Sequence, residues 1–241
     1  MAGHSKWANT KHRKERADAK KGKLFTRVTK EIINAVKSGG ADPKTNAKLR
    51  AAIAKAKEAN LPSENIERNI KKAQSSDQSS FQEFVYELYG YGGVGILACG
   101  MTDNKNRLAS EMRIATNKRG GSIATPGSVA FNFSHCAMFT VVYAAAQQEE
   151  LFMLASELGA DDISFDEQAT IIAPAESFCA ISHGLREAGY QILSDELTYL
   201  PKIEARCDSD DNRANIALIE WLEAIDDVDE VVHNMELQEQ P

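Results

Sequence analysis

Apolar positions first repeat at helical spacing along the chain. Leu24, Val28, Ile32 and Val36 recur every four residues, which places them on one face of a helix that Gly39 and Gly40 stop. A second helix is expected after Pro43, with Leu49, Ala52, Ile53 and Ala56 inward. A third follows Pro62, with Ser63 as its cap and Ile66, Ile70 and Ala73 inward. Three short amphipathic helices make a small bundle. The run Gln74, Ser75, Ser76, Asp77, Gln78, Ser79, Ser80 then has the composition of a linker, and beyond it the apolar period changes from helical to alternating.

Phe84, Tyr86 and Leu88 alternate as in a half-buried strand; further strands are expected over 94–101 and 129–133, with a helix over 104–118 between them. From Ala137 the order becomes strand, helix, strand, strand, helix, strand, which is a complete split βαβ unit. The tail adds a strand at Ile203, a helix over 210–224 and a strand over 228–232. These last elements supply the missing βαβ half for 82–133. The fold class expected is therefore α+β: an N-terminal three-helix bundle and two ferredoxin-like α/β domains, one inserted in the other. The boundaries expected are a basic helical domain with an N-terminal arm over 1–74, a discontinuous domain over 81–133 plus 202–241, and an inserted acidic domain over 134–201.

Composition places the chain among globular proteins. It has 241 residues, 43% hydrophobic and 26% charged, enough to bury a core and far from disordered or collagen-like sequences. No run of about 18 apolar residues occurs, and the start runs into charge without the apolar stretch of a signal peptide. A cytoplasmic location with no membrane contact is expected. Cys99, Cys136, Cys179 and Cys207 lie far apart with no C-x-x-C pair, so they read as buried, reduced thiols, and no metal site or cofactor is expected.

The net charge of −7 conceals its arrangement. Residues 1–74 carry 19 Lys and Arg against 7 Asp and Glu, 75–132 carry 5 against 5, and 133–241 carry 4 against 23. A basic end on an acidic body points to a polyanion partner for the first part only. Lys23, Arg27, Lys30 and Lys37 flank the apolar face of the first helix, Lys44, Lys48, Arg50, Lys55 and Lys57 accompany the second, and Arg68, Lys71 and Lys72 the third. Ahead of them lies an arm with Lys6, Lys11, His12, Arg13, Lys14, Lys20 and Lys21, where Trp7 and His12 are suited to stack on unpaired bases. Such cations lie along phosphates and set affinity and register without reading bases. Arg107 extends the basic surface from the helix over 104–118. The run Asp226, Asp227, Asp229, Glu230 reads as a solubilising surface.

Other motifs have simpler readings. Gly90, Gly92 and Gly95 match G-x-G-x-x-G, but the β-type run that follows suits a glycine-rich hairpin and not the helix that a pyrophosphate needs. Asp208, Asp210 and Asn212 resemble an EF-hand start, yet Arg213 replaces the required glycine, so a helix cap is the better reading. No G-x-S-x-G elbow, H-E-x-x-H pair or P-loop is present, and a non-enzymatic protein is expected.

Several segments together carry a family likeness. Ala2-Gly3-His4-Ser5-Lys6-Trp7 with Lys11-His12, Lys23-Leu24-Phe25, Leu49-Arg50-Ala51-Ala52-Ile53, Asn60-Leu61-Pro62 with Asn65-Ile66-Glu67-Arg68, Tyr89-Gly90-Tyr91-Gly92-Gly93-Val94 and Thr102-Asp103-Asn104-Lys105-Asn106-Arg107 resemble the signature segments of the YebC/PmpR family. The resemblance implies three domains around a cleft, a cytoplasmic location and a role in gene expression. Members are described as probable transcriptional regulators that bind DNA, while others, including mitochondrial relatives, act in translation. The partner implied is DNA or ribosomal RNA, with the ribosome itself included in the second case. A third class, a scaffold whose acidic domains hold a basic protein, is also compatible with the charge pattern. The sequence sets no oligomeric state.

Overall fold

The computed structural model describes residues 20–74 and 80–236, with the side chains of Lys20 and Lys21 excepted. The chain is α+β: among the described residues three helices come first, then two four-stranded antiparallel sheets. Two compact units are formed. One runs from Phe131 to Glu204, and the other comprises the described residues on either side of it.

The helices are α1 (Lys20–Gly39), α2 (Ala47–Glu58) and α3 (Ser63–Gln74). Their core holds Val28, Ile32, Val36, Leu49, Ala52, Ala56 and Ile66, close to the expected apolar face, although Leu24 is 45% exposed. Asn46 joins the first two helices. Its Oδ1 accepts the Leu49 N–H as the cap of α2, while its Nδ2 donates to the carbonyls of Ala35 and Gly40, both at 2.7 Å. Ser63 is the first residue of α3 itself.

The first sheet has the order β3-β1-β2-β8, from β1 (Gln82–Tyr89), β2 (Gly95–Thr102), β3 (Ser122–Ile123) and β8 (Val228–His233). Helices α4 (Lys105–Arg119) and α7 (Ser209–Glu223) share its core, with Leu108 and Met112 meeting Leu218, Ile219 and Leu222 over Leu88, Ile96 and Ala98. β8 pairs with β2 although more than 120 residues separate them, so the sheet is closed by the end of the chain. The strand expected over 129–133 is absent as such. A short 3-10 turn at Ala130–Asn132 takes its place, and β3 is the pair Ser122–Ile123. At Ile203 there is likewise no strand; an isolated bridge joins Ala205 to Met235.

The second sheet, in the Phe131–Glu204 unit, has the order β5-β6-β4-β7, from β4 (Phe133–Val142), β5 (Asp162–Phe165), β6 (Ala169–Pro174) and β7 (Gln191–Pro201). With α5 (Gln148–Glu157) after β4 and α6 (Phe178–Glu187) after β6, this is the split βαβ arrangement. Its core places Phe139, Val141 and Ile171 against Leu151, Ala155, Ile181 and Leu185. The first sheet differs, because its first two strands form a hairpin before any helix intervenes.

That hairpin turns through Gly90-Tyr91-Gly92-Gly93, and strand β2 follows, as the β-type run requires. The side chain of Asn215 on α7, fully buried, accepts the Tyr91 N–H at 2.8 Å and donates to the Tyr91 carbonyl at 3.1 Å. At Gly92 the backbone is left-handed (φ 64) and a Cβ would lie 2.6 Å from the Cys207 Cβ, so only glycine fits. Asp208 caps α7 by accepting from the N–H groups of Asp210 and Asp211, and Asn104 caps α4 in the same way. Of the four cysteines, Cys136 is buried and Cys99 and Cys207 are half-buried, whereas Cys179 is exposed on α6, contrary to the expectation of four buried thiols.

The segment after β3 is fixed by one carboxylate. Glu87, 8% exposed on β1, accepts the N–H groups of Gly127, Val129 and Ala130 at 2.5 to 2.7 Å. Burial works to raise its pKa, but the three backbone donors outweigh it and hold the carboxyl below the ordinary glutamate range. This tether is present above the ordinary glutamate pKa and is lost as the pH falls through the lowered one. Glu87→Gln is expected to cost about 2 kcal/mol, because an amide cannot accept from all three donors. Hydrogen exchange at the amides of Gly127, Val129 and Ala130 reads the loss, and unchanged protection there would refute it.

Candidate nucleic-acid interface

The basic residues of the helical segment divide into two groups by what they face. Lys23, Arg27 and Lys30 lie at spacings of four and three on α1 and form one stripe. The stripe packs onto the segment between α7 and β8. Lys30, 6% exposed, donates from Nζ to the Met101 carbonyl at 2.9 Å and to the Asp226 carbonyl at 3.3 Å. It also lies 3.8 Å from Asp227 Oδ1 and 4.0 Å from Asp229 Oδ1. Lys23 donates to the carbonyls of Glu223 and Val228.

Electrostatics follow this packing. Burial lowers the Lys23 pKa, against the pull of Glu223 and Asp229. For Arg27 burial also opposes the charge, yet Asp229, Glu31 and Glu230 outweigh it and the pKa is raised. The Asp229 carboxyl is pushed up by burial although Lys30, Arg27 and Lys23 surround it. Arg107 belongs to the same cluster from the sheet side. Its Nη2 donates to Asp227 at 2.6 Å and to Asp103 at 2.8 Å, which raises its pKa, while Thr102 Oγ1 donates to Asp227 at 2.8 Å. Asp226, Asp227 and Asp229 are thus the counter-charge that seats α1, a use beyond the solubilising role expected of that run.

The second group is exposed. Lys44, Lys48, Arg50, Lys55 and Lys57 on and before α2, and Arg68, Lys71 and Lys72 on α3, all present their side chains to solvent. Arg50 curls back, donating to the carbonyls of Pro43 at 2.9 Å and Lys44 at 3.1 Å. Arg68 pairs with Glu64 at 3.2 Å one turn away, and Lys55 with Glu31 at 3.4 Å. Pairs this exposed are weak and open readily to phosphate. By contrast the Phe131–Glu204 unit holds 2 Lys and Arg against 12 Asp and Glu.

Of the candidate residues read from the sequence, Lys6, Trp7, Lys11, His12, Arg13 and Lys14 lie outside the described residues, and for Lys20 and Lys21 only the backbone of α1 is described. The structure brings Lys23, Arg27, Lys30 and Arg107 together, around the carbonyls and carboxylates of residues 223–229. Arg50 and Arg68 stand apart from them on the exposed helices. Sequence reasoning missed the pairing of the α1 stripe with 226–230. The signal was present: the cations sit at 23, 27 and 30, beside the apolar positions 28 and 32, and helical residues so close to the buried face meet whatever that face packs on. Among the described residues no group of three His, Cys, Asp or Glu side chains is placed to hold a metal, and no helix is long and apolar enough to cross a membrane.

Comparison with known proteins agrees along the whole chain. The family model described as the TACO1/YebC protein N-terminal domain matches residues 5–76, and that of the TACO1/YebC second and third domain matches 81–235. A probable transcriptional regulatory protein of Chlamydia pneumoniae is 56% identical over 238 residues, covering 98% of this chain and 100% of that protein. One of Protochlamydia amoebophila (strain UWE25) is 53% identical over 241 residues, covering 100% of this chain and 98% of that protein. A solved structure, a conserved hypothetical protein from Aquifex aeolicus, is similar with a TM-score of 0.77 and 36% identity, covering 92% of this chain and 93% of that one.

Proposed function

The chain belongs to the TACO1/YebC family, and on that premise we propose that it is a non-enzymatic regulator of gene expression that binds DNA through its basic helices. The observation that carries this reading is the separation of charge: exposed cations gather on α2 and α3, while the Phe131–Glu204 unit is acidic. Phosphates are drawn to the first surface and repelled by the second. The basic arm ahead of α1 adds Lys6, Trp7, Lys11, His12, Arg13, Lys14, Lys20 and Lys21 to the binding head, and Arg50 and Arg68 belong to its exposed part. The relatives' description as probable transcriptional regulatory proteins supports the role.

A second reading, a translation factor on ribosomal RNA, is favoured by one detail. Arg50 spends its guanidinium on its own backbone and Arg68 on Glu64, so neither is extended as a reader of base edges. Cations that only position a backbone suit folded RNA as well as duplex DNA. Sedimentation of a lysate separates the two. A free pool that is retained on promoter fragments is the expected result; comigration with ribosomal particles at moderate salt would replace it with the second reading, and failure to retain any nucleic acid would overturn both.

A further inference from the structure

Between α1, α2 and the start of β1 the surface is hollowed into an open groove of about 820 Å³, within the range of roughly 300 to 1,000 Å³ that small-ligand sites occupy. Its rim carries three lysines from two helices, Lys37, Lys48 and Lys55, and its floor is apolar, with Phe81, Met101 and Ala52. The groove is built and not incidental. Asn34 Nδ2 donates to the Phe81 carbonyl at 2.7 Å and Asn34 Oδ1 accepts the Phe81 N–H at 2.8 Å, which pins the entry of the sheet to α1. Lys30 lies over the Phe81 ring, 5.8 Å from its centroid, and fixes it from the buried side.

We propose that this groove seats one unpaired nucleotide of a single-stranded segment, its base on the Phe81 floor and its flanking phosphates on Lys37 and Lys48. The inference rests on the nucleic-acid reading above and names the form of the ligand. An apolar floor under a cationic rim is the arrangement by which single strands are held, stacking below and phosphate contacts above. A base paired within a duplex cannot reach such a floor without leaving its stack.

Two carboxylates share the groove, Glu31 and Glu83. Glu31 is already balanced by Arg27 and Lys55, both at 3.4 Å. Glu83 is exposed and opposes a phosphate. That opposition gives the proposal a sign at a named residue, since removing Glu83 is expected to tighten binding of the strand in the groove.

The test uses the full chain and a ten-nucleotide single strand carrying a central 2-aminopurine, with a duplex of the same sequence beside it. The strand's fluorescence is expected to rise on binding, as the reporter base leaves its stacked neighbours for the Phe81 ring, and the duplex's is not. Lys37→Gln with Lys48→Gln is expected to weaken the single strand about tenfold and to reduce its salt slope by about 1.4, two phosphates at roughly 0.7 each. Glu83→Gln is expected to tighten it about threefold, by removing one like charge. Phe81→Leu, which keeps an apolar floor if Phe81→Ala fails to fold, is expected to abolish the rise with a smaller loss of affinity. Salt-dependent binding of strand and duplex without that rise, and unchanged by these groove variants, would overturn this inference and leave the proposed function standing. No binding of either probe would overturn both.

Discussion

Between 50 and 200 mM salt the affinity of the full chain for DNA is expected to fall by about three decades. The estimate takes six phosphates neutralised, each releasing about 0.9 of a counterion from duplex, which gives a slope of about −5 in log affinity against log salt. The structure identifies which cations are available for this. Lys44, Arg50, Lys55, Lys57, Arg68 and Lys71 are exposed just before α2, on α2 and on α3, whereas Lys23, Arg27 and Lys30 are spent on carbonyls and carboxylates within the protein. Neutralising Arg50, Lys57 and Lys71 together as glutamines is therefore expected to reduce the slope by about 2.7 and to weaken all sequences alike. An isotherm that does not move with salt would refute the polyanion reading outright. Loss at one sequence only would show that these cations read bases.

The helical segment was legible because its core obeys a single period: Val28, Ile32 and Val36 repeat every four residues and all are buried. The second unit was legible for a related reason, since Ala137, Phe139 and Val141 alternate inward along β4 and two helical patterns separate its strands. What the sequence concealed depends on distant partners. Val129 is buried and apolar, which reads locally as a strand, yet its segment is a loop that folds onto Glu87, some forty residues earlier, through three backbone N–H groups. β3 is two exposed residues long, too short for any alternation to show.

The same limit applies to the candidate interface. Charge alone placed Lys23, Arg27 and Lys30 with the phosphate-binding cations; their places beside the buried face show that they meet a packed partner, but not that the partner is residues 223–229, about two hundred positions later. Their segregation from Arg50 and Arg68 is a property of packing. Residue type cannot supply it. The groove was concealed for the same reason: Lys37 and Lys48 come from two helices and Phe81 from the residue before β1, and they share no motif.

Replacing Lys30 by methionine is expected to destabilise the protein by about 3 to 5 kcal/mol and to loosen the helical segment from the sheet. Methionine keeps most of the length and none of the charge. The side chains of Asp227 and Asp229 are 6% and 5% exposed, so removing their central cation leaves two carboxylates with little water to replace it. Breaking one partner of a buried pair carries a cost of about this size, larger than the net worth of the intact pair. Asp227 retains Arg107 and Thr102, but Asp229 Oδ2 is buried without a hydrogen-bond partner even in the intact protein. Asp229 is therefore the group that suffers most, and Lys30→Met with Asp229→Asn is expected to recover a large part of the loss, a coupling that a double-mutant cycle measures directly. The pH dependence has a definite sign. Burial raises the Asp229 pKa in the folded protein, so the folded state takes up the proton more readily than the unfolded chain and stability falls as the pH rises through that raised value. Removing Lys30 raises it further, and the deficit of Lys30→Met is expected to shrink as the pH is taken down toward the ordinary carboxylate range. Urea unfolding read separately by probes on α1 and on the first sheet checks all three statements. A single coincident transition shifted by less than about 0.5 kcal/mol would mean that the cluster contributes nothing to joining the helices to the sheet.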